Sequence, residues 1–272
     1  MGSLAALEAR LHELGSLLVA FSGGADSAFL LAAAARTLGA EQVVAATAVS
    51  ASLPSTELDG AREFAASLGV RHLTPATDEM SRDGYRANGS DRCFFCKAEL
   101  LDVLGPLATS EGLAYVATGT NADDAVAGFR PGIRAASERG AVTPLLDAGL
   151  TKAEVRQLSR EWGLATWDKP AAACLSSRIA YGIEVSSYRL GRIERAEAAL
   201  REALAAAGLG VRDLRVRDVG DIARVEIDRD LVAQVAARPD LLATVTGFDA
   251  VELDERGFRS GSMNEALIVA GP

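Results

Sequence analysis

The most informative segment for both the fold and the chemistry is Leu17-Leu18-Val19-Ala20-Phe21-Ser22-Gly23-Gly24-Ala25-Asp26-Ser27. Its apolar first half predicts a buried strand, and the Ala- and Leu-rich segment after it predicts a helix. At such a junction, backbone N–H groups face outward, and Gly23 and Gly24 let the backbone approach an anion closely. Ser22 and Ser27 add hydroxyl donors. The stretch therefore predicts a phosphate-binding loop, with a glycine turn and a Ser or Asp helix cap as the alternative.

The loop differs from two common nucleotide-binding loops. No Gly-Lys-Ser or Gly-Lys-Thr follows it, as in a Walker loop, and its glycines do not have the GxGxxG spacing. A loop without that lysine is poorly equipped to polarise a γ-phosphate for transfer. We therefore expect it to hold a pyrophosphate while the α-phosphorus is attacked.

Strand and helix patterns alternate through the first two thirds of the chain. Continuous apolar runs predict strands that are buried on both faces of a parallel sheet. Helical patterns separate them, and one of these begins with a capping box at Thr151. The predicted strands lie at 17–21, 42–49, 70–73 and 113–118.

The pattern changes after about residue 182. A long helical pattern leads into two runs, 214–217 and 223–227, which alternate apolar and charged residues. Such alternation predicts half-buried antiparallel strands. We therefore expect an α/β domain with a doubly wound parallel sheet at 1–182 and a smaller α+β domain at 183–272.

Composition and charge narrow the class of protein. The chain of 272 residues is 49% hydrophobic and 24% charged, which excludes a disordered chain. Its 28 basic and 37 acidic residues give a net charge of −9, so nucleic acid is an unfavoured partner. The longest apolar run, 28–35, is far shorter than the roughly 20 residues of a membrane-spanning helix. With no signal-peptide pattern either, we expect a cytoplasmic protein without a membrane partner.

Acidic side chains cluster in a second loop, Gly119-Thr120-Asn121-Ala122-Asp123-Asp124. It follows the strand at 113–118, at the carboxyl edge where open α/β sheets bind ligands, so Gly119 is a candidate nucleotide-binding residue. Asp26, Asp123 and Asp124 are candidate ligands of a Mg²⁺ that offsets phosphate charge. A solvated acidic loop is the alternative for Asp123 and Asp124.

The segment 22–27 resembles the SGGxDS signature of the PP-loop ATP pyrophosphatases. The resemblance implies a doubly wound α/β fold, and adenylation of a substrate with release of pyrophosphate. It also implies that Ser50, which closes the second predicted strand, lies at the edge that recognises adenosine.

The three cysteines do not make a disulfide framework, since their number is odd. Cys174 lies in a polar loop near Arg178, whose charge favours the thiolate. Cys93 and Cys96 form a C-x-x-C pair that lies before an apparent helix. In a reducing compartment, these residues are candidates for metal binding or catalysis, or are inert core residues.

Several separated motifs resemble the LarE family of ATP-dependent sulfur transferases, over nearly the whole chain. The resemblance implies ATP and Mg²⁺, and a pyridinium biscarboxylic acid mononucleotide as the small-molecule substrate. The carboxylates are adenylated and converted to thiocarboxylates during synthesis of the nickel-pincer cofactor of lactate racemase. A homo-oligomer is also implied. Besides the SGGxDS loop, the motifs are Phe129-Arg130-Pro131-Gly132-Ile133-Arg134-Ala135, Cys174-Leu175-Ser176-Ser177-Arg178, Val216-Arg217, Asp221-Ile222-Ala223-Arg224-Val225-Glu226 and Gly257-Phe258-Arg259-Ser260-Gly261-Ser262-Met263-Asn264.

The pair Cys93 and Cys96 departs from the family members that sacrifice a cysteine. Those members carry the counterpart of Cys174 alone, and they lose its sulfur to leave dehydroalanine. Three cysteines can instead hold three irons of a 4Fe–4S cluster and leave the fourth iron to carry a sulfide, as in cluster-bearing relatives. A zinc site with a fourth ligand and thiols that act without metal are the alternatives.

Arg215 and Arg217 share one face of a predicted strand, because residues two apart point the same way. The resemblance implies that they contact the substrate phosphate, and an exposed face of ordinary charged residues is the alternative. Glu197 and Glu226 match acidic positions of the family less closely. A PP-loop tRNA thiolase is the rival enzyme, which the net charge and the lack of an added RNA-binding module disfavour.

Overall fold

A computed structural model describes residues 2–126, 130–170, 173–259 and 261–264. The chain divides into two compact units, the first of residues 1–82 and 91–172 and the second of residues 83–90 and 173–272. The domain boundary at 182/183 stays a prediction. Within the described ranges, no helix has the length and apolar character to cross a membrane.

The first unit is built on a parallel sheet of four strands. Its strands are β1 (Leu17–Ala20), β2 (Val43–Ala46), β3 (Arg71–Leu73) and β4 (Tyr115–Thr118), in the order β3-β2-β1-β4. Its first three helices are α1 (Leu4–Leu14), α2 (Ala25–Leu38) and α3 (Ser55–Ser67). After α4 (Asp83–Arg86), which belongs to the second unit, come α5 (Arg92–Ser110), α6 (Ala122–Val126), α7 (Pro131–Glu138), α8 (Pro144–Asp147) and α9 (Lys152–Glu161).

The register of the sheet places the ends of β1 and β4 side by side. Ala20, the last residue of β1, pairs with Ala46 in β2 and with Thr118 in β4. All these strands run in the same direction, so the loops that follow them emerge at one edge. The Ala-rich helix α2 lies against this sheet and buries Ala32, Ala33 and Ala34 completely, which small side chains permit.

The second unit contains a three-stranded mixed sheet. The antiparallel pair β5 (Leu214–Asp218) and β6 (Ile222–Ile227) is extended by β7 (Ala250–Leu253), which runs parallel to β6. The long helix α10 (Ser187–Ala206) shares a buried apolar cluster with the sheet. Two short helices complete the described unit, α11 (Val232–Ala236) and α12 (Pro239–Leu242).

The segment 83–90 joins the second unit through the buried side chain of Asn88. Its amide nitrogen donates hydrogen bonds to the carbonyl oxygens of Ala180 and Ile183, both at 2.8 Å. The backbone oxygen of Asn88 in turn accepts a hydrogen bond from the Gly182 N–H. These bonds satisfy backbone groups at 180–183, a segment that lies between the 3-10 helix Leu175–Arg178 and α10.

The structure confirms the α/β fold with its parallel sheet, the antiparallel pair β5–β6 and the capping box at Thr151. It differs at the C-x-x-C pair, which lies within the first two turns of α5 and not before a helix. The helix begins at Arg92 because the Phe94 N–H already donates to the Asp91 carbonyl oxygen, at 2.7 Å. The strand β7 was not predicted.

Candidate functional site

The phosphate-loop candidate connects β1 to α2. Gly23 has a φ of +70°, a conformation that favours glycine, and α2 begins at Ala25 just after it. The Ser22 and Ser27 hydroxyls lie 3.1 Å apart, and Ser27 Oγ donates to the Gly24 carbonyl oxygen at 3.1 Å. The loop thus presents hydroxyls and the N-terminus of a helix at one edge of the sheet, which suits an anion.

A second loop approaches this one closely. A Cβ atom at Gly119 would lie 2.8 Å from the backbone nitrogen of Ser27 and 3.1 Å from the carbonyl carbon of Asp26. Gly119 follows β4, which pairs directly with β1. The loops after the two strands therefore pack backbone against backbone, and the glycine is required there for space.

A cavity of about 480 Å³ opens where these loops meet. Its wall combines the phosphate-loop candidate, the carboxyl ends of three strands and basic side chains from later helices and loops. The lining residues that carry polar side chains are Ser22, Asp26, Ser27, Thr47, Lys97, Thr118, Thr120, Asp124, Lys152, Arg156 and Lys169.

The predicted acidic residues take different positions. The Lys152 N–H donates to Asp123 Oδ2 at 2.8 Å, so Asp123 satisfies a free N–H at the start of α9. Asp124 lines the cavity and lies 3.2 Å from the Lys152 ammonium. Asp26 lines the same cavity from the first turn of α2.

Burial raises the pKa of Asp26 above its ordinary value. The neighbouring Asp124 carboxylate also raises this pKa, whereas Lys152, Asn121 and Arg156 lower it. The ionised form of Asp26 is therefore electrostatically unfavourable, and a cation bound beside it would stabilise that form.

Lys169 is a site residue that the sequence analysis missed. Its ammonium donates to the carbonyl oxygen of Gly23 at 3.0 Å and to Glu57 Oε2 at 2.7 Å. The loop therefore has a lysine beside it after all, supplied by a segment almost 150 positions later. The one sequence signal was the rarity of lysine, which occurs only three times in the chain.

The structure places Ser50 against a buried carboxylate. The Ser50 hydroxyl donates to Glu79 Oε1 at 2.5 Å, and the Ser52 hydroxyl donates to the same oxygen. The adjacent cavity wall is formed by Ala48 and Leu53. Recognition of adenosine by Ser50 stays a prediction.

The C-x-x-C pair lies beside the helix α7 of the first unit. Cys93 is exposed and Cys96 is partly buried, one helical turn apart in α5. Between them in sequence, Phe94 packs under the guanidinium of Arg134 from α7, which lies 4.5 Å from the ring centre. Lys97 follows the pair directly and lines the cavity. The N-terminal part of α5 therefore carries the cysteine pair and also contributes a residue to the cavity wall.

In the second unit, Cys174 lies in a loop that Arg178 holds. The Arg178 guanidinium donates to the carbonyl oxygens of Ala173 and Cys174 and pairs with both carboxylate oxygens of Glu197. Cys174 Sγ lies 3.0 Å from the Ser176 hydroxyl. Arg178 thus positions the backbone of the loop, and Glu197 balances its charge.

Arg215 and Arg217 emerge on one face of β5, as predicted from their spacing, and differ in their partners. Arg217 is buried and pairs with Glu226 Oε2 at 2.7 Å. Arg215 lies near the Phe258 ring and close to Arg178. Burial, and then the Arg178 charge, lower the pKa of Arg215. Guanidinium groups can bind a phosphate, and contact of Arg215 and Arg217 with the substrate phosphate stays a prediction.

All three cysteines are thiols outside any disulfide. In the described part of the chain, no group of three or more Cys, His, Asp or Glu side chains is arranged to hold a metal ion. Phe129 and Ser260, which belong to two of the sequence motifs, lie outside the described residues.

The chain is similar to known proteins over the length of both units. No protein-family model matches the chain. It is 35% identical over 269 residues to the pyridinium-3,5-bisthiocarboxylic acid mononucleotide synthase of Lactiplantibacillus plantarum, covering 98% of this chain and 95% of that protein. It is 43% identical over 260 residues to an uncharacterized protein of Synechocystis sp., covering 94% of each. An argininosuccinate synthase of Halobacterium salinarum is 29% identical over 147 residues, which are 51% of this chain and 37% of that protein.

Proposed function

The chain belongs to the LarE family, and we propose that it is an ATP-dependent sulfur transferase with an adenylating first step. As a homologue of a bisthiocarboxylic acid mononucleotide synthase, it is a sulfur-transferring enzyme of nickel-pincer cofactor synthesis. The substrate in this proposal is pyridinium biscarboxylic acid mononucleotide, whose carboxylates become thiocarboxylates.

The observation that carries the proposal is the cavity at the phosphate-loop candidate. It combines an anion-binding loop with the side chains of Lys97, Lys152, Arg156 and Lys169, which suits the negative charge of ATP. A substrate carboxylate attacks the α-phosphorus, the bond to the pyrophosphate breaks and an acyl adenylate forms. The loop and the cations stabilise the charge that builds up on the departing pyrophosphate.

We propose that Asp26 and Asp124 supply carboxylate ligands to the Mg²⁺ that accompanies ATP. Both line the cavity, and the Asp124 carboxylate raises the pKa of Asp26, which is a situation that a divalent cation relieves. Mg²⁺ bound there would offset phosphate charge. One oxygen of Asp123 is already engaged by the α9 backbone, so its ligand role needs the other oxygen.

In the second step of the proposal, a sulfur nucleophile displaces AMP from the adenylate. A C–S bond forms at the acyl carbon as the C–O bond to the AMP phosphate breaks. Cys174 is the residue assigned to sulfur chemistry, with Arg178 holding its loop. Arg215 and Arg217, on the same unit, are assigned to the phosphate of the mononucleotide.

We propose that Cys93, Cys96 and Cys174 together are thiolate ligands of a 4Fe–4S cluster. Three soft thiol donors fit iron better than they fit zinc, which would need a fourth ligand. Cys93 and Cys96 are spaced by one helical turn, so their sulfurs share a face of α5. The cluster would supply a replaceable sulfide on its free iron.

Pyrophosphate release tests the first step. We expect release from ATP that depends on the mononucleotide and that Asp26→Asn abolishes. The matched control is Asp59→Asn, which changes an exposed carboxylate of α3 and should retain full release. Release that depends on tRNA instead would make the protein a tRNA thiolase, and no release with either substrate would refute adenylation.

Anaerobic reconstitution with iron and sulfide tests the cluster. We expect the absorption and EPR spectra of a 4Fe–4S centre, and their loss in Cys93→Ala, Cys96→Ala and Cys174→Ala. A protein that takes up iron equally well in all three variants would contradict the proposed ligand set.

We also propose that the protein works in the cytoplasm as a homo-oligomer. A reducing compartment keeps the three thiols available. Light scattering on the purified protein should give a mass that is a multiple of 28.3 kDa. A monomer at all concentrations would refute this point.

A further inference from the structure

Three residues form a hydrogen-bond relay across the parallel sheet of the first unit. His72 lies in β3, Thr47 directly follows β2, and Phe21 directly follows β1. His72 Nε2 lies 2.8 Å from the Thr47 hydroxyl oxygen, and this hydroxyl donates to the Phe21 carbonyl oxygen at 2.7 Å. Because β3, β2 and β1 are neighbours in the sheet, the relay ends at the residue that precedes the phosphate-loop candidate.

The chemistry of the groups fixes the direction of both hydrogen bonds. A carbonyl oxygen only accepts, so the single proton of the Thr47 hydroxyl goes to Phe21. The proton between Thr47 and His72 must then be carried by Nε2 of the imidazole. In the described part of the chain, His72 Nδ1 is buried without a hydrogen-bond partner, so a proton there would be unsatisfied. Burial, and then the Arg62 charge, lower the pKa of His72, which keeps the ring neutral at neutral pH.

The relay determines which way the peptide between Phe21 and Ser22 faces. The Phe21 N–H donates to the Ala46 carbonyl oxygen in β2 at 2.8 Å, and the Phe21 carbonyl faces Thr47 on the same side of β1. In a planar trans peptide, the N–H points opposite to the carbonyl. The Ser22 N–H therefore points toward the other side of β1, where β4 lies, and the described backbone offers it no acceptor.

Two of the three residues lie at the cavity. Thr47 and Phe21 are only 3% and 1% exposed, and both line the cavity beside the phosphate-loop candidate. Among the described lining residues, His72 is absent, so its influence on a bound nucleotide must pass through Thr47. His72 donates to the Thr47 oxygen, which leaves Phe21 as the acceptor for the Thr47 proton.

We propose that His72 and Thr47 are positioning residues that hold the Phe21–Ser22 peptide so that the Ser22 N–H donates to the pyrophosphate part of ATP. The inference rests on the proposed use of ATP. A donor that is fixed before the nucleotide binds does not have to be reoriented when charge builds up on the departing pyrophosphate. The relay thus extends the site from the loop itself to a strand two positions away in the sheet.

Calorimetric titration of the full chain with ATP and with AMP, in Mg²⁺, tests the positioning role. Thr47→Val replaces the hydroxyl by a methyl group of similar size, and we expect it to raise the Kd for ATP about tenfold. His72→Phe keeps an aromatic ring and removes the donor, and should raise this Kd about threefold. Both variants should keep the wild-type Kd for AMP, which has no pyrophosphate. Equal losses of ATP and AMP affinity would indicate a purely structural role and overturn the proposal.

Conservative variants test whether the hydrogen bonds are the cause. Thr47→Ser keeps the hydroxyl, and His72→Gln supplies an amide N–H in place of Nε2–H. Both should bind ATP within about twofold of the wild type. The control His12→Gln changes an exposed histidine of α1 and should bind both nucleotides like the wild type. Thr47→Val and His72→Phe variants that bind ATP as tightly as the wild type would overturn the proposal.

Nitrogen NMR of the imidazole rings tests the relay in the wild-type protein. The chain has two histidines, and the spectrum of His12→Gln assigns the signals of each. We expect His72 to be the Nε2–H tautomer above pH 7. An Nδ1–H tautomer would overturn the relay and leave the proposed function standing. A wild-type protein that binds no ATP would overturn the proposed function and, with it, the role of the Ser22 N–H.

Discussion

Gly119→Ala measures how closely the two loops of the cavity must pack. The added Cβ would lie 2.8 Å from Ser27 N and 3.0 Å from Ser27 Cα. Ordinary contact begins at about 3.5 Å, so the backbone must separate by roughly 0.5–0.7 Å. The strand pairing of Ala20 with Thr118 prevents the strands from parting, and the shift falls on the phosphate-loop candidate. We expect a loss of about 1–3 kcal/mol in the free energy of unfolding.

The same displacement should weaken ATP binding and slow pyrophosphate release, because a shift of this size misaligns the loop relative to the phosphates. Urea unfolding gives the stability change, and calorimetric titration gives the Kd. The control is Gly60→Ala, an exposed site in α3 where a Cβ would meet nothing within 4 Å, and it should be neutral or slightly stabilising. Wild-type stability and Kd in Gly119→Ala would refute the tight packing of the loops.

Three further predictions follow from the charged groups and the thiols. Because the pKa of Asp26 is raised, its charge destabilises the fold at neutral pH, so Asp26→Asn should melt at a higher temperature than the wild type while losing pyrophosphate release. The gain in melting temperature should vanish as the pH falls below 3.8, the ordinary pKa of an aspartate side chain. An Asp26→Asn variant that is less stable than the wild type at pH 7 would contradict this prediction. Arg215→Ala should raise the KM for the mononucleotide and leave the Kd for ATP unchanged, and a lost ATP affinity would move Arg215 to the nucleotide site. With sulfide supplied, the enzyme should turn over repeatedly, mass spectrometry should find Cys174 intact, and Cys93→Ala or Cys96→Ala should stop sulfur transfer. Dehydroalanine at position 174, together with full single-turnover activity in the Cys93→Ala/Cys96→Ala double variant, would refute the cluster.

The site was predictable in so far as its chemistry is local. The loop from Ser22 to Ser27 needs only a strand, two glycines and a helix start, all of which are neighbours in sequence. The face shared by Arg215 and Arg217 follows from the two-residue repeat of a strand. The sequence analysis placed the cysteine pair before a helix, whereas the pair lies inside α5. Backbone hydrogen bonding begins this helix at Arg92, which the side-chain pattern does not indicate.

The rest of the site arises from contacts between distant segments. Glu57 and Lys169 are 112 positions apart, and nothing in the sequence of either segment announces the other. The need for glycine at position 119 comes from the approach of Ser27, which depends on β1 and β4 being neighbours. Pairing of β1 with β4 is a property of strand order, since two other predicted strands lie between them in sequence.

The parallel α/β architecture, the anion-binding loop and the antiparallel strand pair can be predicted from sequence, because hydrophobic period and glycine placement act over a few residues. The charges that surround that loop depend on the tertiary structure. It placed Lys97, Lys152 and Lys169 around one cavity, assigned Asp123 to a helix end and buried Arg217 against Glu226. Partners of charged side chains are chosen by distance in space, and the strand order sets that distance.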